Sequence, residues 1–454
     1  MNFHLCRIRG LSRMTTLALI TTSLLAANAF FIPHQNGMVR SGRYHWPGRL
    51  RVIGTMDRDL PRVELPKDSW TEENSISVVK ELPVKQGRRW SPLSLFRNQT
   101  DRMEVTLNYA YKYDTLLLEP VPKRKVSSSD VIGVVLIHPI GVGIARWFYE
   151  RLMNSLNDTA SRPDRLLIVS PDLLGSGSAC EPTITDQKGS IKHVPLLNIS
   201  DWSDQLIDLM ETCETYQAAK GIAIGRWCVI ANGGCSPIAL QVAAKSLDES
   251  RHQTKQVTNV IISSSPRLPF YLNSSDKSKV AKAYKRLCGL LGRLFWWYAC
   301  RKEGKFIQTF SEKNLVADPS NLGGTWRSNC YLTAKARGGM SRYSTFAFLA
   351  GCLQDGCQAS LAALKGKSLV RIDVIKGRDI RQNRAKSWFW QKSKRKSSSS
   401  EEPGKPRKTF RDYAEENGNG GRELTIGGRI SLAHEDPVGY AEAIVAFLDN
   451  STRM

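Results

Sequence analysis

Three uninterrupted apolar runs, Val131–Ile137 (VIGVVLI), Leu166–Ser170 (LLIVS) and Trp227–Ala231 (WCVIA), are each followed by enough chain for a helix or loop before the next begins. A strand with one solvated face alternates apolar and polar residues. A strand without a polar position is covered on both sides, which places these runs at the centre of a parallel sheet. Asn259–Ser263 and Leu369–Lys376 extend the series, and a short strand near Glu423–Ile426 closes the edge. Met103–Pro120 alternates well enough to be an antiparallel hairpin that opens the fold. Strands alternating with helices specify an α/β architecture with helices on both faces of a mostly parallel sheet.

The turns after these strands carry the informative residues. The first run leads into His138, Pro139, Ile140, Gly141, Val142 and Gly143, and the second into PDLLGSG (Pro171 to Gly177). The third leads into Ala231, Asn232, Gly233, Gly234, Cys235 and then an apolar helix, the layout of a nucleophile elbow. HEDPVGYAEAIVAFL (His434 to Leu448) supplies a last helix. In this order and spacing the motifs resemble those of the α/β-hydrolase superfamily from about residue 100 to the C-terminus. The resemblance implies an oxyanion loop at His138–Gly143, an elbow at 231–235, and a helical cap in the roughly hundred residues between Ser265 and Ser368.

Laid on the elbow pattern, Gly233 stands where the attacking serine belongs. Acyl transfer needs a nucleophile, a histidine in reach of it, a carboxylate orienting that histidine, and N–H donors facing the developing oxyanion. The resemblance gives Ile140 and Gly234 as the backbone donors, with His138 bracing the loop and Gly141 and Gly233 bordering the pocket. The acid position falls near Asp379, whose spacing from Gly377 is one residue short of the usual form, and it is read equally as catalytic or structural. The histidine slot holds Arg429 or Ile430, and His434 sits too near Pro437 to fill it, which suggests a surface or helix-capping role. Rescue of an acyl-transfer site would require Cys235 as nucleophile, with His434 and Asp379 as its partners.

Around this core, residues 1–29 read as a signal peptide, with Arg7, Arg9 and Arg13 before the apolar run Leu17–Ala27. Residues 30–56 begin with Phe30 and Phe31 and carry arginines without an acidic residue, resembling the two-part presequence of algae with complex plastids. A soluble protein of the chloroplast stroma is the expectation. The secretory pathway is the alternative, and Asn98, Asn157, Asn198, Asn273 and Asn450 would then be glycosylation candidates. Residues 57–100 read as a linker with one or two short strands, 101–265 and 368–454 as the two parts of the core, and 266–367 as the cap.

The net charge of +23 belongs largely to appendages, including the leader and a low-complexity basic insertion at 391–409 that reads as disordered. Leu287–Tyr298 (LCGLLGRLFWWY) suits the cap over the active-site mouth, with a buried core helix or a membrane-facing patch beside a basic run as the alternatives. No nucleic-acid-binding module accompanies the charge, so no nucleic-acid partner is expected. No C-x-x-C pair or zinc signature is present, no cofactor is implied, and the cysteines read as core residues of a reducing compartment. These residues describe a hydrolase scaffold with a degraded triad that binds an apolar acyl, lipid or pigment ligand, with peripheral contact to an anionic plastid membrane. The alternative is an active hydrolase of apolar carboxylic esters working through Cys235 or another noncanonical nucleophile.

Overall fold

The computed structural model describes residues 76–79, 89–90, 105–109, 115–120, 131–159, 165–177, 182–184, 197–248, 255–264, 277–339, 341–353, 357–367, 369–378 and 409–449. All lie in one compact unit, Arg62–Ile380 with Pro406–Met454. The leader, Asp379 and the basic insertion at 391–409 lie outside the described residues.

An eight-stranded sheet runs through the molecule: β1 (Ile76–Val79), β4 (Thr115–Leu118), β6 (Leu166–Pro171), β5 (Val131–Ile137), β8 (Ile224–Asn232), β9 (Val257–Ser263), β10 (Arg371–Gly377) and β11 (Glu423–Ile426), in that spatial order. The strands from β6 to β11 are mutually parallel, and β4 is antiparallel to its neighbours on both sides. Counting only these eight strands along the chain, the order reads 1-2-4-3-5-6-7-8 with the second reversed, the topology of the α/β-hydrolase fold. A small second sheet joins β2 (Arg89–Trp90), β3 (Val105–Tyr109) and β7 (Pro182–Ile184).

The opening hairpin is corrected by this topology. β3 and β4 both arise from 103–120, yet β3 joins the small sheet while β4 pairs with β1 and β6. Alternation marks a half-buried strand without specifying its partner. The edge strand β1 comes from the segment read as a linker.

The unbroken apolar runs are explained by burial on both faces. Along β5, Val135 and Ile137 join Leu167, Val229 and Val260 on one face, with Trp202, Leu206 and Leu240 from the helices α2 (Ile199–Ala218) and α3 (Ser236–Ser246). Val134 and Leu136 point the other way, toward Leu152 and Met153 of α1 (Glu150–Thr159) and Ile444 and Phe447 of α12 (Pro437–Asp449). The start of α2 is set by a capping box: Asn198 Oδ1 accepts from Ser200 N (2.8 Å), and Asp201 Oδ2 accepts from Asn198 N (2.8 Å).

The long insertion between β9 and β10 is helical as expected. It contains α4 (Lys277–Cys288), α5 (Leu290–Ala299), α6 (Lys305–Asn314), α7 (Trp326–Gly339), α8 (Arg342–Ala350) and α9 (Cys357–Leu364). After β10 come α10 (Phe410–Glu416) and the short α11 (Leu432–Glu435) before α12. Leu287–Tyr298 is not one buried helix: the chain breaks at Gly289, and α5 buries one face while exposing Leu290, Leu291, Leu294, Trp297 and Tyr298.

Candidate functional site

The third strand ends in the sharp turn expected of an elbow. Asn232 is still extended (φ −100°, ψ 138°), Gly233 turns into the left-handed region (φ +60°), and after a single 3-10 turn α3 begins at Ser236 with Pro237 in its first turn. Glycine adopts that backbone without the Cβ penalty of other residues, and proline is tolerated there because the first helical N–H groups have no intrahelical partner. Ser236 Oγ donates to Gly233 O (2.9 Å) and fastens the turn. The apex is therefore Gly233, and it carries no side chain. Among the described residues nothing lies within 4 Å of the position a Cβ at 233 would take.

Cys235 stands two residues on, at the N-cap of α3, and is fully buried in the core cluster on the α2 and α3 face. Burial pushes its thiol up to about 12, and the nearby Ile140 N–H offsets only part of that rise. At neutral pH the sulfur is a protonated thiol, the weak form of the nucleophile.

His434 does not meet it. The imidazole lies in α11 among aromatic rings, edge-on to Trp326 (centroids 4.7 Å apart) and near Phe148 (5.1 Å) and Trp147 (6.0 Å). Those three rings belong to the cluster on the opposite face of the sheet from Cys235. His434 is buried, which corrects the surface role, and its imidazole faces the Phe148 backbone. Burial, with the neighbouring Arg151 guanidinium, lowers its pKa to about 3 against the opposing pull of the Phe148 backbone, and Arg151 also donates to the His434 carbonyl (3.3 Å).

The loop that the resemblance assigns to a histidine does reach the elbow. Asn232 Nδ2 donates to Ile430 O (3.3 Å), so Ile430 occupies the elbow side of that loop. Arg429 turns away, its guanidinium donating to Lys313 O (3.0 Å) and its N–H to Glu435 (2.6 Å). The end of β10 packs against the same loop: a Cβ on Gly377 would overlap the Gly428 and Arg429 carbonyls.

The oxyanion-type loop is held from below and above. His138 is buried, its Nδ1–H donating to Pro139 O (3.0 Å) and its Nε2 accepting from Leu173 N (3.1 Å), so both nitrogens are committed to neutral-imidazole bonds. Burial lowers its pKa, in keeping with that neutral form. His138 thus ties the loop after β5 to the loop after β6 and is a positioning residue. Asp172 strengthens the tie, accepting from Arg146 N (2.9 Å) and pairing with the Arg146 guanidinium (2.7 Å), both side chains buried. Gly143 is left-handed (φ +75°) where α7 approaches so closely that a Cβ would overlap the Cys330 carbonyl.

From above, α8 is fastened to all three loops. Thr345 Oγ1 donates to Gly141 O (3.2 Å), Ser344 Oγ donates to Gly175 O (2.7 Å), and the Phe348 ring packs on Gly234, its Cζ 2.5 Å from where a Cβ would stand. The backbone donors of Ile140 and Gly234 are thus present but roofed by a cap helix. Sequence reasoning missed this contact, because nothing in RYSTFAFLA distinguishes a lid from any other amphipathic cap helix.

A second missed feature lies at the carboxyl ends of the strands. Tyr149 donates to Ile137 O (3.1 Å) and is linked to Tyr440, whose hydroxyl bonds Ser263 Oγ (2.7 Å), and Ser263 in turn bonds Ala231 O (3.3 Å). Burial raises both phenols, so they remain neutral and tie β5, β8 and β9 together near the elbow. Among the described residues no group of His, Cys, Asp and Glu could hold a metal.

No family model and no curated protein matches the sequence. Solved structures with which the chain superposes include Cfl2 from Burkholderia cenocepacia (13% identity, TM-score 0.47, covering 82% of this chain and 99% of that one). A thermophilic esterase from Thermogutta terrifontis superposes at 13% identity and TM-score 0.45, over 77% of this chain and 99% of its own. The peroxisomal alpha-beta-hydrolase Lpx1 from Saccharomyces cerevisiae gives 13% and 0.45, over 82% and 86%. Likenesses this distant leave the argument with strand order and turn geometry, and on those grounds the chain has the α/β-hydrolase fold.

Proposed function

We propose that this protein is a pseudo-hydrolase, binding an apolar acyl, lipid or pigment ligand in the crevice beyond the carboxyl ends of β5, β6 and β8. One observation carries the reading: the elbow keeps its left-handed apex, but the apex is Gly233, which carries no side chain able to attack a carbonyl. Loss of a triad nucleophile or histidine costs on the order of a million-fold in turnover, whereas binding and backbone donors survive it. Ligands of open α/β sheets bind at this end of the strands.

The ester-hydrolase reading has one observation in its favour, the placement of Cys235 at a helix N-terminus beside the Ile140 N–H. Both features favour a thiolate. Complete burial outweighs them, and no imidazole adjoins the sulfur among the described residues.

The test uses a naturally fluorescent polyene fatty acid, titrated into the purified protein without its leader. Saturable binding is expected, weakened about tenfold by Gly233→Asn, since asparagine tolerates the left-handed region and its side chain would fill the space before the apex. No saturable binding by folded wild-type protein would overturn the proposal.

For location, we propose the plastid stroma. Two observations support a compartment that is neither oxidising nor glycosylating: the described cysteines are all free, and Asn198, one of the sequons, is committed to the α2 capping box. Residues 1–56 fused to a fluorescent protein in a diatom should accumulate in the plastid, and export of the fusion would refute this.

A further inference from the structure

The cap carries an apolar surface whose setting identifies what it meets. α5 is apolar around most of its circumference but covered on one side only. Gly292, Trp296 and Ala299 face the protein, with Gly292 seated so closely on Leu287 O that a Cβ would not fit, and Trp296 edge-on to Phe346 (5.9 Å). Leu290, Leu291, Leu294, Trp297 and Tyr298 recur at helical spacing on the other side and are exposed, Leu290 by 72% and Trp297 by 54%. The close inner packing fixes which face looks outward.

The border of this face is basic. From Lys277 to Lys302 the chain contains no Asp or Glu, and Lys282, Lys285, Arg286, Arg293, Arg301 and Lys302 are exposed around the apolar face. Arg301 lies over the Trp297 ring (5.3 Å). An apolar stripe with a tryptophan and a tyrosine, rimmed by cations, complements the boundary of an anionic bilayer, where rings and leucines enter the acyl region and the cations meet headgroups. At ten residues α5 is about 15 Å long, half the hydrocarbon thickness, and no described helix is long and apolar enough to cross a membrane.

We infer that α5, with the basic face of α4, is a peripheral anchor that lies in the surface of an anionic lipid membrane. This binding is separate from the ligand proposed at the elbow and stands or falls without it.

The experiment is co-sedimentation of the protein with vesicles of phosphatidylcholine, alone and mixed with phosphatidylglycerol. Binding is expected to the mixed vesicles, to fall as salt is raised, and to be nearly absent from phosphatidylcholine alone. Leu294→Glu combined with Trp297→Glu should weaken it about tenfold or more, and Lys285→Glu combined with Arg286→Glu should weaken it and flatten its salt dependence. Unchanged thermal melting would show that both variants fold, as expected for changes at solvent-facing positions. The inference fails if wild-type protein ignores anionic vesicles, or if it binds them and the α5 variant binds equally, which would assign the contact to another basic segment. It also fails if sedimentation reveals a dimer that Leu294→Glu dissolves, which would make a second copy of the chain the occupant.

Discussion

At the level of single residues, the chemistry of this corner is decided by two side chains and one absence. Gly233 provides the conformation of an elbow apex but no nucleophile, Cys235 is turned into the core, and His434 is enclosed by Trp147, Phe148 and Trp326. The missing serine was visible in the sequence, because the end of the apolar strand at Ala231 aligns the elbow pattern. The confinement of His434 was not, because its ring partners lie far from it along the chain. That confinement has a measurable consequence. His434 is neutral in the fold, with a pKa lowered to about 3, whereas an unfolded chain would protonate it near 6.5. Below about pH 6.5 the unfolded state therefore binds more protons, and stability contributed above that pH is lost progressively as the pH falls toward 3, by up to about 1.4 kcal/mol per pH unit. His138, also depressed, acts in the same direction. Chemical denaturation at a series of pH values should show this slope for wild-type protein and a shallower one for His434→Phe, which retains an aromatic ring in the cage without the proton site. Equal slopes would place the acid sensitivity elsewhere.

At the level of elements, the strands were more legible than the helices. β5, β6 and β8 could be placed because being covered on both faces forces unbroken apolar sequence. The role of β3 could not, since an alternating strand reads alike whichever sheet it joins. The reading of Leu287–Tyr298 stayed open between a buried helix and an exposed patch, because composition cannot say that Gly289 ends α4 or which side of α5 is covered. The position of α8 was equally hidden, although it contacts the loops around the elbow through Thr345, Ser344 and Phe348. If α8 is the roof of the binding crevice, removing the Phe348 ring from Gly234 opens it. Phe348→Ala should then speed association of the fatty-acid probe several-fold in stopped-flow fluorescence, with a modest loss of thermal stability for a half-buried ring. Slower or unchanged association would mean that the ligand enters by another route.

At the level of the whole molecule, the sheet order and the elbow turn are those of the α/β-hydrolase fold, with a glycine at the apex of the elbow. The loops after β5, β6 and β8 are tied to one another by His138, by Arg146 with Asp172 and by the Tyr149–Tyr440–Ser263 chain. Asp379 was a sequence candidate beyond the described residues, but a carboxylate alone neither attacks a carbonyl at this elbow nor replaces an imidazole there. The most direct measurement is hydrolysis of short- and long-chain p-nitrophenyl esters by purified wild-type protein beside Cys235→Ala, both confirmed folded. The account predicts rates indistinguishable from buffer for both, with Cys235 left unmodified by a thiol-reactive acyl probe. Turnover by the wild-type protein that disappears in Cys235→Ala would contradict it.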